Sequence, residues 1–545
     1  MHSPVARTAA RVRSPLPEGT VDVAIVGCGL GGLTAGAYLA RQGLRVALFD
    51  SHYVAGGCAT MFERGRSDNR YNFDVGLHYI GDCGPDGNIP RLLRPLGIEL
   101  QYVEMDPDGF DTIVLPDLSF RIPANRDLYR DRLVAQFPKE KRGIDRYVRF
   151  LAEVERISRR MERQDGRMGG RTLLDVALHG RLLARYQNAT IATLLDSCTQ
   201  DQRLRAVMLG QSGDYGLPPS KVSALLHAGL ANHYFQGAYY PKGGGQVISD
   251  ALAAEIEAQG GSIHLRCGIE KILIEDGRAV GVRTEARKGG QQEIRAKVVI
   301  SNADIKRTMT DLIGVERLPS PWVSRTETME MGGAIFITFL GIKVDMAALG
   351  MGASNYWCYD GYDFESFYSD PYDSEGRVTT RGCYITSASL KDPGTPGHAP
   401  EGITSVEVMT LVPGAAKVWG VDPATIESGH YRKDAAYLAT KQRIEDDLIA
   451  RLDALFPGSG AAVVFAESAT PVSHTRYTRA TDGTGYGLAC TPAQFLKGRP
   501  GYRGPVDGLY LAGASTRAGH GIVGAMTSGR LAALRVASDL DRPLT

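Results

Sequence analysis

Gly27, Gly29 and Gly32 are the first residues whose spacing implies chemistry, because they follow the apolar run VDVAIV and open a small-residue segment ending at Gly43. In a G-x-G-x-x-G turn the first glycine permits a tight bend. The second lets the backbone approach a pyrophosphate, and the third lets helix and strand pack closely. Leu30 then stands at the opening of a helix whose backbone N–H groups and positive end hold phosphate. Asp50 closes the next apolar run, LRVALFD, about 20 residues beyond the glycines, where a carboxylate accepts hydrogen bonds from ribose hydroxyls. Ser51 follows it and is placed in the same site. An acid there disfavours a 2′-phosphate, so the nucleotide expected is FAD or NAD and not NADP.

The elements that must position these residues are strand, glycine turn, helix and strand, a βαβ unit. Shortly after the acid come Gly56, Gly57 and Cys58. An extended cofactor needs such a second stretch of bare backbone, which favours FAD. From about Leu128 to Gln236 the pattern is helical, 333–411 reads as strands, and 431–455 reads as a helix. Residues 262–282, 296–303 and 508–536 read as returns to the first unit. We therefore expect an α/β protein with a Rossmann-like FAD-binding domain made of 21–110, 237–330 and 460–545. An α+β substrate domain is inserted as 111–236 and 331–459, and residues 1–20 form a disordered or targeting extension.

The GGC segment, Phe73 to Gly81 (FDVGLHYIG), Gly213-Asp214-Tyr215-Gly216, Asn232-His233-Tyr234, Tyr240 to Gly244 and Leu511 to Ile522 (LAGASTRAGHGI) resemble the FAD-dependent phytoene desaturase and carotenoid isomerase superfamily. Within it they look most like the retinol saturase branch. In many relatives an arginine follows the second glycine pair, where this chain has Cys58. The resemblance implies a two-lobed flavoprotein that admits a long apolar polyene. It implies that Gly27, Gly29 and Gly32 serve the pyrophosphate, Asp50 the ribose, and Ile269 the adenine end. Gly513, His520, Gly521 and Ile522 close around the flavin ring. Its substrate would be a retinoid, carotenoid or polyene acyl chain, saturated, desaturated or isomerised at a C=C bond through the flavin N5. For proton transfer the resemblance points to His78 or Tyr79, with Tyr240 and Lys242 as further candidates. A structural role for His78, and a solvated turn for Lys242, are equally open. An amine or other flavin oxidase, and a prenyl-binding protein of the Rab GDP-dissociation inhibitor type, are the competing readings.

Composition narrows the field further. Glycine supplies 65 of 545 residues, while 43% hydrophobic and 23% charged residues are globular values that exclude low-complexity disorder. With 62 basic and 61 acidic residues there is no basic field for nucleic acid. The eight cysteines form no C-x-x-C pair, so neither a metal site nor a disulfide framework is expected, and a reducing, cytoplasmic setting fits. A second strand–GxGxxG–helix unit is missing from the sequence, so NAD(P)H enters only as an external electron donor, which is left open. A membrane surface, motivated by the leucine-rich 173–195 segment, and an acyl-carrier protein are left open as partners.

Overall fold

The computed structural model describes residues 15–66, 69–162, 170, 176, 178–286 and 290–542. Most of the expected N-terminal extension, and part of the leucine-rich 173–195 segment, lie outside them. The chain enters its first sheet at β1 (Val21–Val26), turns through Gly27–Gly29 into α1 (Leu30–Arg41), and returns as β2 (Val46–Phe49). β1 pairs in parallel with β2 on one side and with the strand Glu293–Ser301 on the other. Ser262–His264 extends the sheet beyond β2, and Leu509–Leu511 pairs in parallel with Glu293–Ser301. These strands are covered on both faces, which is why their sequences are continuous apolar runs rather than alternating ones. Every residue of α1 except Arg41 is buried. Its glycines and alanines let it lie between the helices Gln246–Ala258 and Gly521–Asp539.

The second sheet has seven strands, in the order 463–469, 334–342, 404–412, 382–386, 355–359, 111–115, 118–122. All pairs are antiparallel except Asn355–Tyr359 with Asp111–Leu115. Period-two alternation divides its side chains between two cores. Ile337, Phe339 and Met409 face one way, toward Phe73, Tyr79 and Trp357. Phe336, Leu340, Val406 and Val408 face the other, against Ile444, Leu448 and Leu452 of the helix Ala435–Leu455. The helices Arg126–Gln136, Lys141–Glu162 and Ala224–Tyr234 pack on the first of these cores.

Two boundaries differ from those expected. Val463–Ala469 pairs antiparallel with Ala334–Ile342, so it is an edge strand of the second sheet and not part of the dinucleotide unit. Its alternating exposure is that of an edge strand with one face open. The hairpin Met61–Arg64 with Tyr71–Asp74 also lies within the expected cofactor segment, yet Phe62, Tyr71 and Phe73 pack into the core of the second sheet.

Candidate active site

A cavity of about 1340 Å³ starts at the carboxyl ends of the parallel strands, where Val26, Phe49 and Asn302 line it, and ends against the second sheet. That is where an open α/β sheet binds a dinucleotide. Gly27 has φ +96°, and a Cβ there would meet the Asn302 backbone at 3.2 Å. A Cβ on Gly32 would stand 2.1 Å from the Gly27 carbonyl, so only glycine lets the helix sit this low on the turn. The structure starts α1 at Leu30, inside the glycine motif, for this reason. No side chain caps α1 and its first turn carries no acid, so its N–H groups and positive end face the cavity. The second glycine pair docks directly on the first: Gly56 N–H donates to the Cys28 carbonyl at 2.8 Å.

Asp50 is held ready by backbone. Its Oδ2 accepts from Cys28 N–H at 2.7 Å and its Oδ1 from His52 N–H at 2.8 Å. Leu30, Ser51, Gly57 and Cys58 line the same stretch, and Ile269 lines the far end. Cys58 Sγ lies 3.7 Å from His474 Nε2. Burial pushes the thiol up to about 11 and the imidazole down to about 4, so both are neutral at pH 7. The open glycine cradle, the uncapped helix end and the positioned carboxylate fit an FAD molecule laid along this half of the cavity.

Gly513 stands beside Gly31 and Asn302 at the α1 turn. Toward Asp214, His520, Gly521 and Ile522 line the wall, and the long helix Gly521–Asp539 points an uncapped N-terminus at it. His520 Nε2 donates to the Asp214 carbonyl at 3.1 Å, which leaves Nδ1 to accept from the Cys490 thiol at 3.2 Å. Burial, helped by the charge of Arg499, lowers the His520 pKa to about 4. His78 and Tyr79 both reach the cavity. His78 Nδ1 stands 3.8 Å from Glu407 Oε2. Tyr79 is stacked on Tyr234 with ring centroids 4.5 Å apart, and its hydroxyl lies 2.8 Å from Asp214 Oδ2 and 3.2 Å from Asp111 Oδ2. Apolar side chains complete this half, among them Phe62, Leu226, Leu230, Ile337, Phe339 and Met409.

Of the residues expected at the site, Gly32, Tyr240 and Lys242 are not on the cavity wall. Gly32 acts one layer back, through helix packing. Tyr240 is fully buried and donates to Asp74, so its hydroxyl is committed to a carboxylate behind the wall. Lys242 is exposed on the turn before the helix Gln246–Ala258, away from the cavity wall. Asn302, Asp214, Asp111 and His474 were not expected. Asn302 donates to the Gly27 carbonyl at 3.3 Å and follows the strand Glu293–Ser301, a position that the strand pattern could have flagged. Asp214 lies within the Gly213–Gly216 motif. Asp111 and His474 carry no local signal. Among the described residues Asp74, His78 and Glu407 also bring ligand-type atoms within 4.8 Å of one another, although no metal was expected.

The class that fold and site define is an FAD-dependent oxidoreductase. A family profile described as an NAD(P)-binding Rossmann-like domain matches residues 25–96. The chain is 28% identical over 524 residues to the all-trans-retinol 13,14-reductase of Danio rerio, covering 92% of this chain and 83% of that protein. It is 25% identical over 529 residues to prolycopene isomerase 1, chloroplastic, of an Oncidium hybrid cultivar, covering 95% and 84%. Among solved structures, cyclohexylamine oxidase from Brevibacterium oxydans IH-35A shares the fold at a TM-score of 0.58 and 16% identity, over 96% of this chain and 100% of that one. These similarities agree with the resemblance of the sequence to the FAD-dependent phytoene desaturase and carotenoid isomerase superfamily.

Proposed function

We propose that the protein saturates, desaturates or isomerises a C=C bond of a hydrophobic polyene, such as a retinoid, a carotenoid or a polyene acyl chain. The observation that carries this reading is the continuity of one cavity from the Asp50 carboxylate and glycine cradle to a wall of apolar and aromatic side chains. FAD supplies, when bound, a donor or acceptor of hydride equivalents at its N5. The chain's own residues do the rest. Phe339, Met409 and their neighbours offer a polyene apolar contact and exclude water, which strengthens every polar interaction at the reacting end. His78 stands there as a candidate for proton transfer, and Tyr79 as a hydrogen-bonding neighbour. Burial, together with the charges of Asp111 and Asp214, pushes ionisation of Tyr79 well above its usual range, so it acts as a neutral hydrogen-bonding hydroxyl. One relative is named for reducing all-trans-retinol and another for isomerising prolycopene, and both substrates are of the proposed class.

A water-insoluble substrate of this kind calls for delivery from a membrane surface or an acyl-carrier protein. No helix among the described residues is long and apolar enough to cross a membrane. NAD(P)H is the proposed external donor for the reducing direction. The test is anaerobic photoreduction of the FAD-loaded protein, followed by mixing with retinol, a carotenoid and a polyene thioester. Flavin reoxidation with loss of conjugation means saturation, and a shifted polyene spectrum without reoxidation means isomerisation. The desaturating arm mixes the oxidised protein with the partly saturated compounds and expects flavin bleaching with gain of conjugation. Inertness toward all of these, together with flavin bleaching by a primary amine, overturns the reading.

A further inference from the structure

We infer that Asp214 is the acid that exchanges a proton with a substrate carbon, and that the Asp111 carboxylate on the other side of Tyr79 keeps it in its protonated, donating form. The inference rests on the proposed C=C chemistry for its substrate and on hydrogen-bond counting for its mechanism. Asp214 lines the cavity, and its own backbone carbonyl accepts from His520, the residue that begins the helix facing the expected flavin ring. Behind it Tyr79 stands between two carboxyl groups, at 2.8 Å from Asp214 and 3.2 Å from Asp111. A phenol has one hydrogen to donate. It cannot serve both carboxylates fully, so a proton on one of the pair, donated to the phenol oxygen, relieves the close approach of two buried negative charges.

The surroundings decide which one. Asp111 accepts N–H bonds from Asn355 Nδ2 at 2.9 Å, Gln211 Nε2 at 2.7 Å and Trp357 Nε1 at 3.0 Å. Three N–H donors favour its charged form. Asp214 has only the hydroxyls of Tyr79 and Tyr234, and both of these can accept. The groups that face it are Asp111, the phenols Tyr79, Tyr215, Tyr234, Tyr359, Tyr368, Tyr384 and Tyr486, and the neutral His520 imidazole. Burial first, then the Asp111 charge, raises Asp214 to about 7, while Asp111 rises only to about 6. The pair is a carboxyl dyad with a tyrosine inserted between its members, and the proton rests on the member that reaches the cavity.

In the saturating direction the π pair of the substrate C=C bond is replaced by two C–H bonds. With FAD bound, the reduced cofactor would supply the hydride for one carbon, with both electrons, and the external two-electron donor would restore it. The neighbouring carbon receives the Asp214 proton, leaving a carboxylate that regains its proton from water. In the desaturating direction the same carboxylate takes the proton away. Asp214 is the catalytic residue, and Tyr79 and Asp111 are positioning residues.

The experiment uses FAD-loaded full-length protein, photoreduced and mixed with retinol or a carotenoid over pH of about 5 to about 9. Reoxidation by wild type is expected to fall as pH rises through about 7, because the donating form is lost. Asp214→Asn is expected to lose about 10²- to 10⁴-fold in rate with an unchanged flavin spectrum. Asp214→Glu restores part of the rate if carboxyl chemistry is what was lost. Asp111→Asn removes the repelling charge and moves the falling limb to lower pH, which a merely structural residue would not do. Infrared difference spectra between about pH 7 and about pH 9, a window above the Asp111 value of about 6, should show a protonated-carboxyl C=O band that Asp214→Asn removes. If wild type reoxidises at a rate independent of pH, or Asp214→Asn matches it, the inference falls. If no polyene reacts, the substrate reading fails separately and the infrared band alone decides: its presence supports the protonated Asp214, and its absence overturns it.

Discussion

The two ends of the cavity are built from different materials. At the nucleotide end the wall is backbone: bare glycines, the open end of α1, and one carboxylate tied down by two N–H groups. At the reacting end it is side chain: stacked tyrosines around buried acids, with His520 neutral beside them. The first end recognises charge on a ligand and needs no titrating group of its own. The second holds protons on carboxyl groups that burial displaces upward. One cavity thus combines a rigid electrostatic cradle with a low-polarity compartment in which a proton can be held until a substrate arrives.

The sharpest way to break this contrast is at the cradle. Gly32→Val places a side chain where even a Cβ would stand 2.1 Å from the Gly27 carbonyl. The clash is with backbone and cannot be relieved by a rotamer. We expect a loss of about 3 kcal/mol or more and failure to retain flavin, read by thermal unfolding and by the absorption spectrum of the purified protein. Asp50→Ala comes next. It removes charge-assisted hydrogen bonds of about 1.5–3 kcal/mol, so FAD affinity should fall about 10- to 150-fold in a fluorescence titration of apoprotein. Unchanged affinity would mean that the ribose does not meet this carboxylate.

The same contrast explains what could be read from the amino-acid sequence. Gly27, Gly29, Gly32 and Asp50 act within one βαβ unit, so spacing alone locates them. The strands of the first sheet are readable for the same reason: burial on both faces leaves unbroken apolar runs. The second sheet is harder, because Asp111–Leu115 pairs with Asn355–Tyr359 across more than two hundred residues of chain. Val463–Ala469 lies in the segment expected for the dinucleotide unit but pairs in the second sheet, since nothing in a strand's own sequence names its partner. The proton-holding end is the least legible part. Tyr79 was picked out by resemblance, but the two acids that flank it come from a strand and a turn remote in sequence. Nothing local says that a particular aspartate will be buried beside another. Tyr240 and Lys242 show the converse: the right segment does not tell which side chains face inward.

Removing the phenol that links the two acids probes the reacting end at smaller amplitude. Tyr79→Phe leaves both carboxyl groups short of one partner, and a loss of about 1–3 kcal/mol in stability is expected by chemical denaturation. The pH dependence of that stability has a defined sign. Asp214 rises from 3.8 to about 7 on folding, so the folded state binds the extra proton between those values. Its contribution is therefore present below pH 4 and is lost as pH rises through about 7. Asp111 acts in the same sense up to about 6. His474 and His520, lowered to about 4, act oppositely, costing stability as pH falls from 6.5 toward 4. Comparing melting temperatures of wild type and Asp214→Asn isolates the acid: the variant should gain on wild type as pH rises from about 4 to about 7. A constant difference would mean that Asp214 is ionised throughout.

The smallest expected effect is also informative, because it separates position in sequence from position in space. Lys242 shares the Tyr240 to Gly244 motif and is one residue from Pro241, whose strand pairs with Tyr102–Glu104. Its backbone N–H donates to the Gln101 carbonyl at 2.9 Å, a bond that alanine keeps. Its side chain is exposed and is not part of the cavity wall. Lys242→Ala should therefore change stability by no more than about 0.5 kcal/mol and leave flavin spectrum and reoxidation rate at wild-type values. A large loss of reoxidation rate with an intact spectrum would place a lysine ammonium at the substrate after all. That result would require a closed state in which this turn folds over the cavity, and proton supply would then belong to the turn rather than to the buried acids.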